Sequence, residues 1–173
     1  MSEIDLRAYI RDIPDFPKPG ILFRDVTPLL EDAAAFRAAV EAVAAPFRGN
    51  GVQHVVGIES RGFILGAPVA LALGTGLVIV RKKGKLPHAI VREEYALEYG
   101  TDVIEMHADS VGPDDRVLVV DDLIATGGTA AATVRLVQKA GAEVVGCSFL
   151  IELRDLGGRK ALGVDRIHSV IAY

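Results

Sequence analysis

The sequence is short of several things that define protein classes. It has one cysteine, Cys147, so no disulfide can form within the chain and a reducing compartment is the natural setting. A lone cysteine in a Val-Gly-Cys-Ser-Phe run is expected to be a buried small hydrophobe. Basic residues are not in excess: 19 Lys and Arg against 23 Asp and Glu give a formal charge of −4. That balance argues against non-specific binding to nucleic acid or to a membrane surface, both of which need a basic face. No apolar stretch opens the chain, because Met1 to Ile10 carries Glu3, Asp5 and Arg7, so a secretory leader is not expected. Two phosphate-loop signatures are missing, G-x-x-x-x-G-K-[ST] and G-x-G-x-x-G, which removes support for nucleoside triphosphate or dinucleotide binding. There is no internal repeat and no low-complexity tract. His54, His88, His107 and His168 have no metal-like spacing and are given no role.

One long run free of charge does occur, from Gly62 to Val80, followed by Arg81, Lys82 and Lys83. It superficially resembles a membrane span with a basic flank. Pro68 and Gly74-Thr75-Gly76 break it. The run divides better into a buried helix ending near Leu73 and a core strand over Leu77 to Val80.

At about 150 residues per domain, 173 residues make one domain. With 50% hydrophobic residues the chain can fill a core without metals or disulfides. A first short helix is expected after Ser2 as cap, with Asp5 at its third position and Ile4, Leu6 and Ala8 facing inward. Three prolines between Ile13 and Gly20 then force an extended or polyproline path. Ile21 to Val26 reads as a short strand, and Thr27-Pro28 as a cap and first turn. The alanine-rich Asp32 to Phe47 stretch carries a helical stripe of Phe36, Val40, Val43 and Phe47.

From His54 onward strand and helix alternate. His54 to Ile58, Leu77 to Val80, Arg116 to Val120, Val144 to Ile151 and Ile167 to Ala172 read as strands. Ser60 to Leu73 and Gly127 to Ala140 read as helices, the second closed by Gly141. The Val-Leu-Val-Val run at 117–120 lacks polar alternation, so both of its faces should be covered. The pattern predicts an α/β fold with a central, mainly parallel sheet and helices on both faces. Between Val80 and Arg116 the pattern changes to mixed charges, tyrosines and a proline, more like a flap than a core element. Its flanks, Tyr95 to Leu97 and Val103 to Met106, can pair as a hairpin around Glu98-Tyr99-Gly100-Thr101.

The most informative stretch is Val117-Leu-Val-Val-Asp121-Asp122-Leu-Ile-Ala125-Thr126-Gly127-Gly128-Thr129, which joins a core strand to a helix. Ligands of open α/β sheets bind at such carboxyl ends. Gly127 and Gly128 let the backbone approach a ligand, and the N–H groups opening the helix make an anion site to which Thr126 and Thr129 add hydroxyls. Asp121 and Asp122, ionised, only accept hydrogen bonds, so they match two adjacent ribose hydroxyls, directly or through Mg²⁺. Together these groups describe a ribose 5-phosphate. A glycine pair alone would more often be an ordinary strand-to-helix turn.

Asp121 to Thr129 resembles the phosphoribosyl pyrophosphate (PRPP) signature of type I phosphoribosyltransferases, in their adenine-specific form. Four other stretches agree in family order: Phe16-Pro-Lys-Pro-Gly-Ile-Leu-Phe-Arg-Asp25, Glu59-Ser-Arg-Gly-Phe63, Arg81-Lys-Lys-Gly-Lys-Leu-Pro87 and Tyr95-Ala-Leu-Glu-Tyr-Gly100. The resemblance implies that Ala125, Thr126, Gly127, Gly128 and Thr129 hold the 5′-phosphate, and that Asp121 and Asp122 hold the ribose. It implies that Ser60 and Arg61 bind pyrophosphate, with a cis Glu59-Ser60 peptide, aided by Arg81, Lys82 and Lys85, which family members often lend across a dimer. It places adenine against Leu22, Phe23 and Arg24 in an N-terminal segment of residues 1–27. Residues 81–106 become a flexible flap in which Glu98 and Tyr99 close over the ribose and base. Glu98 is the carboxylate placed to stabilise an oxocarbenium-like C1′ or to handle the base's N7 proton, and Arg61 joins it as a catalytic candidate.

The implied reaction condenses adenine with PRPP to give AMP and pyrophosphate with Mg²⁺, in a cytoplasmic homodimer. A flap that excludes water protects such a centre from hydrolysis. Three other readings predict different features. A transferase for another purine base keeps the phosphate loop but changes the pocket. A non-catalytic purine-metabolite sensor should carry an added DNA-binding region, which is not visible. A phosphoacceptor receiver domain should open on its acidic strand, whereas here too few residues follow Asp122 for that topology.

Overall fold

A computed structural model describes residues 4–96 and 100–173. Its strands are β1 (Arg11–Pro14), β2 (Leu22–Asp25), β3 (His54–Ile58), β4 (Gly76–Lys82), β5 (Ile90–Ala96), β6 (Thr101–His107), β7 (Arg116–Ile124), β8 (Glu143–Glu152) and β9 (Ile167–Ala172). Its α-helices are α1 (Thr27–Glu31), α2 (Ala33–Ala44), α3 (Arg61–Leu73) and α4 (Gly128–Lys139). Seven strands form the central sheet in the order β5-β6-β4-β3-β7-β8-β9. β4, β3, β7, β8 and β9 run parallel, while β6 is antiparallel to β4 and to β5.

The apolar run in β7 explains its central place. Val117, Leu118, Val119 and Val120 are all fully buried, with Val117 and Val119 packing toward α4 and Leu118 and Val120 toward α2 and α3. Cys147 in β8 is buried with them, and burial pushes its thiol up to about 12. Asp32 caps α2 by accepting from the Ala34 and Ala35 amides. Gly74, at φ 70°, ends α3. The expected alternation of strands and helices is therefore present, with boundaries displaced by a few residues.

Four displacements matter for function. β7 continues through Asp121 and Asp122 to Ile124, because pairing with β8 persists to Ile124 opposite Glu152 and overrides the charges. β4 likewise runs through Arg81 and Lys82, which pair with Glu105 and Ile104 of β6. The stretch likened to a flap contributes two seven-residue strands, and Tyr95, Ile104 and Met106 are buried in the core. Finally, Arg11–Pro14 is a strand where only an extended path was expected. It pairs antiparallel with β2, and its charges are matched directly across: Arg11 faces Asp25 and Asp12 faces Arg24. The first helix is a single 3₁₀ turn, Leu6–Tyr9, capped by Asp5 accepting from the Arg7 amide; Ser2 lies outside the described residues.

α3 lies unusually close on the sheet. A Cβ on Gly62 would stand 2.8 Å from Asp121 Oδ1 and 3.0 Å from the Val120 carbonyl oxygen, and one on Gly57 would stand 3.0 Å from the Gly62 carbonyl oxygen. Glycine at these positions lets the start of α3 rest directly on the carboxyl ends of β3 and β7.

Candidate active site

The carboxyl ends of β3, β4 and β7 border a cleft of about 840 Å³. Its walls include Glu59, Lys82, Tyr95, Asp121 and the whole Ala125–Ala130 segment. The floor is the turn from β7 into α4. Gly127 occupies the N-cap of α4 at φ 81°, a left-handed conformation that side chains rarely adopt. Its backbone also abuts Gly158: a Cβ on Gly127 would stand 2.4 Å from the Gly158 carbonyl oxygen, and one on Gly158 would stand 2.3 Å from that of Ala125. The 3₁₀ turn Gly158–Ala161 thus buttresses the loop from below. The result is the N-terminus of a 12-residue helix opening into the cleft with no side chain capping it, the arrangement that receives a phosphate.

The two aspartates sit in different surroundings. Asp121 lines the cleft and accepts from the Asp122 amide at 2.9 Å. Burial, and then the neighbouring negative charge of Asp122, hold its carboxyl well above the ordinary carboxylate range. Asp122 is buried, and its Oδ2 lies 2.8 Å from Arg61 Nε in an ion-pair contact that lacks hydrogen-bond alignment. Burial raises its pKa as well, with Arg61 working against the rise. They are thus not an equivalent pair: Asp121 faces the cleft and Asp122 anchors Arg61.

The cationic wall is organised by Glu59. This residue precedes a cis Glu59-Ser60 bond, as the resemblance implies, and Ser60 is the exposed N-cap of α3. Its carboxylate accepts from Lys85 Nζ at 2.5 Å, from Arg81 Nε and Nη2 at 3.3 Å each, and from the Lys82 amide at 2.9 Å. Burial alone would raise its pKa, but these donors outweigh burial and bring it to about 2. Lys82 turns the other way, to Asp102 and to the Tyr95 hydroxyl at 2.9 Å. Burial opposes its charge, yet those hydrogen bonds raise its pKa overall. Arg81, Lys82 and Lys85 are therefore a held set and not a solvated basic run.

The residues expected at the base lie on β2. Leu22 is exposed, while Phe23 and Arg24 are half-buried. Phe23 packs edge-on against Phe16 with centroids 5.2 Å apart, and the Arg61 guanidinium stands 5.2 Å from the Phe23 ring. Arg24 pairs with Asp12 and stacks 3.7 Å over Tyr173. Arg61 thus links the N-terminal hairpin to the ends of the sheet. Glu98 and Tyr99 lie outside the described residues, as does Leu97 of the expected hairpin.

Three contributors were missed by sequence reasoning. Glu59 and Tyr95 enter the sequence analysis only as members of motif stretches, Tyr95 also as a hairpin flank, with no role for either side chain, and Gly158 does not enter it. The partners of all three are distant in sequence, so no local spacing marks them; the Glu59-Ser60-Arg61 run was the one available signal for the first.

A mainly parallel sheet with a helix N-terminus opening beside the acidic end of its central strand is an α/β arrangement suited to a phosphorylated ligand at the carboxyl ends of the strands. Residues 29–171 match the phosphoribosyl transferase domain family, and the chain belongs to it. Within that family its relatives are adenine phosphoribosyltransferases. One from Trichormus variabilis is 58% identical over 98% of this chain and 100% of its own. A crystal structure from Rhodothermus marinus is 57% identical, covers 97% of this chain and 96% of its own, and superposes with a TM-score of 0.93. One from Saccharomyces cerevisiae, complexed with an imino-altritol 1,6-bisphosphate and adenine, is 37% identical, covers 96% of each chain and has a TM-score of 0.91.

Proposed function

We propose that this cleft transfers the 5-phosphoribosyl group from PRPP to adenine, giving AMP and pyrophosphate, the purine-salvage reaction of its relatives. The observation that carries the site assignment is the Gly127-capped start of α4, opening beside Asp121 into the same cleft as Glu59 and Lys82.

In this reading the N–H groups of 126–129 and the Thr126 and Thr129 hydroxyls hold the 5′-phosphate. Asp121 accepts from the ribose hydroxyls. Asp122 serves less as a sugar ligand than as the anchor that aims Arg61 at the pyrophosphate, with Ser60 beside it. Arg81, Lys82 and Lys85 complete the pyrophosphate wall, and the phosphates of PRPP take over donors that Glu59 holds in the free protein. The base rests against Leu22, Phe23 and Arg24. Pyrophosphate departure leaves positive charge at C1′, and catalysis comes mainly from positioning and charge complementarity, with no protein nucleophile. Glu98 and Tyr99 close the site, Glu98 as the carboxylate that stabilises that charge or handles the N7 proton.

Mg²⁺ fits this donor set. Among the described residues no three His, Cys, Asp or Glu side chains gather as a metal cage, and magnesium characteristically binds through one or two carboxylates plus substrate phosphates and water. Asp121, with Asp122 behind it, is the carboxylate placed to meet such an ion, which when bound neutralises charge on the leaving pyrophosphate. The working unit is a homodimer, supported by the exposed Ile64 and Leu71 on α3 and Leu77 on β4. The cytoplasm is its setting, supported by the free buried Cys147 and by the absence, among the described residues, of a helix long and apolar enough to cross a membrane.

The test is pyrophosphate release from PRPP and Mg²⁺ with adenine, hypoxanthine, guanine, xanthine and orotate offered separately. Adenine-dependent release with AMP formed is expected. Turnover with another base would keep the phosphate loop and overturn the pocket at Leu22 to Arg24. Silence with all five would overturn the enzymatic reading.

A further inference from the structure

The Tyr95 hydroxyl is a junction that the reaction described above does not use. The ring is buried, at 5% exposure, near the end of β5. Its oxygen lies 2.9 Å from Lys82 Nζ, 3.1 Å from Asp102 Oδ2 and 3.2 Å from Thr129 Oγ1. A phenol has one proton to give. In the free protein that proton goes to Asp102, while Lys82 and Thr129 both donate to the phenol oxygen. Thr129 then points its own proton away from the phosphate loop. A phosphate in the loop needs that proton, and the network can supply it by reversing one link. Tyr95 turns its O–H from Asp102 to Thr129, and Thr129 turns its O–H to the phosphate. Lys82 keeps Asp102 satisfied meanwhile, since it contacts both Asp102 and Tyr95.

We infer that Tyr95 is a positioning residue for the 5′-phosphate, acting through Thr129 in a hydrogen-bond chain from Lys82 to Tyr95 to Thr129 to phosphate. The chain begins on a cation, which polarises each later donor toward the anion. It also ties the β5–β6 hairpin to the start of α4, where a Cβ on Gly128 would already touch the Tyr95 ring at 3.6 Å. Occupancy of the phosphate loop therefore reaches Asp102, three residues beyond the 97–99 segment. The inference rests on the assignment of residues 125–129 to the 5′-phosphate.

The experiment compares calorimetric binding of AMP and adenosine, which differ only in the phosphate, to the full chain and its variants. Tyr95→Phe keeps the buried ring and is expected to weaken AMP about tenfold and leave adenosine unchanged. Thr129→Ala should weaken AMP by at least as much. Tyr95→Phe combined with Thr129→Ala should lose no more than Thr129→Ala alone, because the two side chains act in series. Additive losses in that cycle would overturn the chain, as would equal losses for AMP and adenosine in Tyr95→Phe. Unchanged AMP binding in Tyr95→Phe beside a loss in Thr129→Ala would overturn it while sparing the phosphate assignment. No AMP loss in either variant would remove that assignment too. Asp102→Asn keeps the question open to refutation should Tyr95→Phe not fold: it weakens the resting competitor for the Tyr95 proton, so AMP binding should hold or tighten. A tenfold loss there would overturn the reversal.

Discussion

The cleft has two walls built on different principles. One is the turn from β7 into α4, made of consecutive residues, shaped by backbone conformation and pinned from below by Gly158. The other is the cationic wall, where the cleft-lining Glu59, Lys82 and Tyr95, from the residue after β3, from β4 and from β5, are joined by side-chain hydrogen bonds to Arg81, Lys85 and Asp102 behind them. The first wall's backbone shape is set by the left-handed Gly127 and its contact with Gly158, so its amides cannot shift without breaking the helix start, and only side-chain hydroxyls such as that of Thr129 turn. The second is held by side-chain partners, so an incoming anion can take over donors from Glu59 while Lys82 stays with Asp102. Rigidity is placed where the phosphate docks, and adaptability where the leaving group departs.

Substitutions on the rigid wall should have the largest effects. Gly127→Ala is expected to cost about 3 kcal/mol of stability and nearly all turnover, from the left-handed backbone together with overlap against Gly158. Gly128→Ala meets only ordinary contacts at 3.6 and 3.7 Å and should cost under about 1 kcal/mol in denaturant unfolding. Equal losses for the two would erase the distinction drawn inside the loop.

Next come the aspartates. Asp121→Asn should lower turnover roughly 10- to 100-fold while leaving the melting temperature unchanged or raised, since it removes a charge that burial disfavours. Asp122→Asn breaks the Arg61 contact and should lower both. A melting temperature that drops equally in both variants would show the aspartates to be structurally equivalent after all.

On the adaptable wall the effects should be smaller and dependent on conditions. Glu59→Gln is expected to raise KM for PRPP several-fold, because the cations lose the group that holds them in place. Its stability effect carries a pH signature. The folded pKa is depressed from 4.5 to about 2, so the wild-type advantage is full above pH 4.5 and lost as pH falls toward 2. Thermal unfolding of the two proteins between pH 2 and 7 reads this directly, and a gap that stays constant to pH 2 would assign the loss elsewhere. Lys85→Ala, with a half-exposed side chain, should change stability by under about 0.5 kcal/mol. Its PRPP KM should rise a few-fold at low salt and less at high salt.

The same division decides what could be read in the sequence. Asp121 to Thr129 is legible because each group's chemistry depends on its immediate neighbours and on the strand-to-helix turn that they make themselves. The alternating core was legible for a similar reason: Val117 to Val120 and the α2 stripe advertise their burial. Glu59 and Tyr95 were opaque because their partners lie 22 to 26 and 7 to 34 residues away. β1 was hidden by poor strand propensity; its four residues pair with β2 through the backbone, with Arg11 and Asp12 each opposite a residue of the other charge. The ends of β4 and β7 were placed too early because charges were read as strand stops, whereas neighbouring strands continue the pairing past them.

The glycine seat of α3 sets a mechanical tolerance. With no side-chain layer between Gly62 and the ends of β3 and β7, the height of the helix above the sheet is fixed by backbone thickness alone. Arg61 sits one residue from that contact, so any lift passes to its guanidinium almost undiminished. A single added methyl would raise the helix start by roughly an ångström, a displacement able to cost about a hundredfold in rate. The sheet thereby works as a gauge block for the reaction, and fine adjustment of the enzyme's speed would be sought under α3 before it is sought among the charged groups.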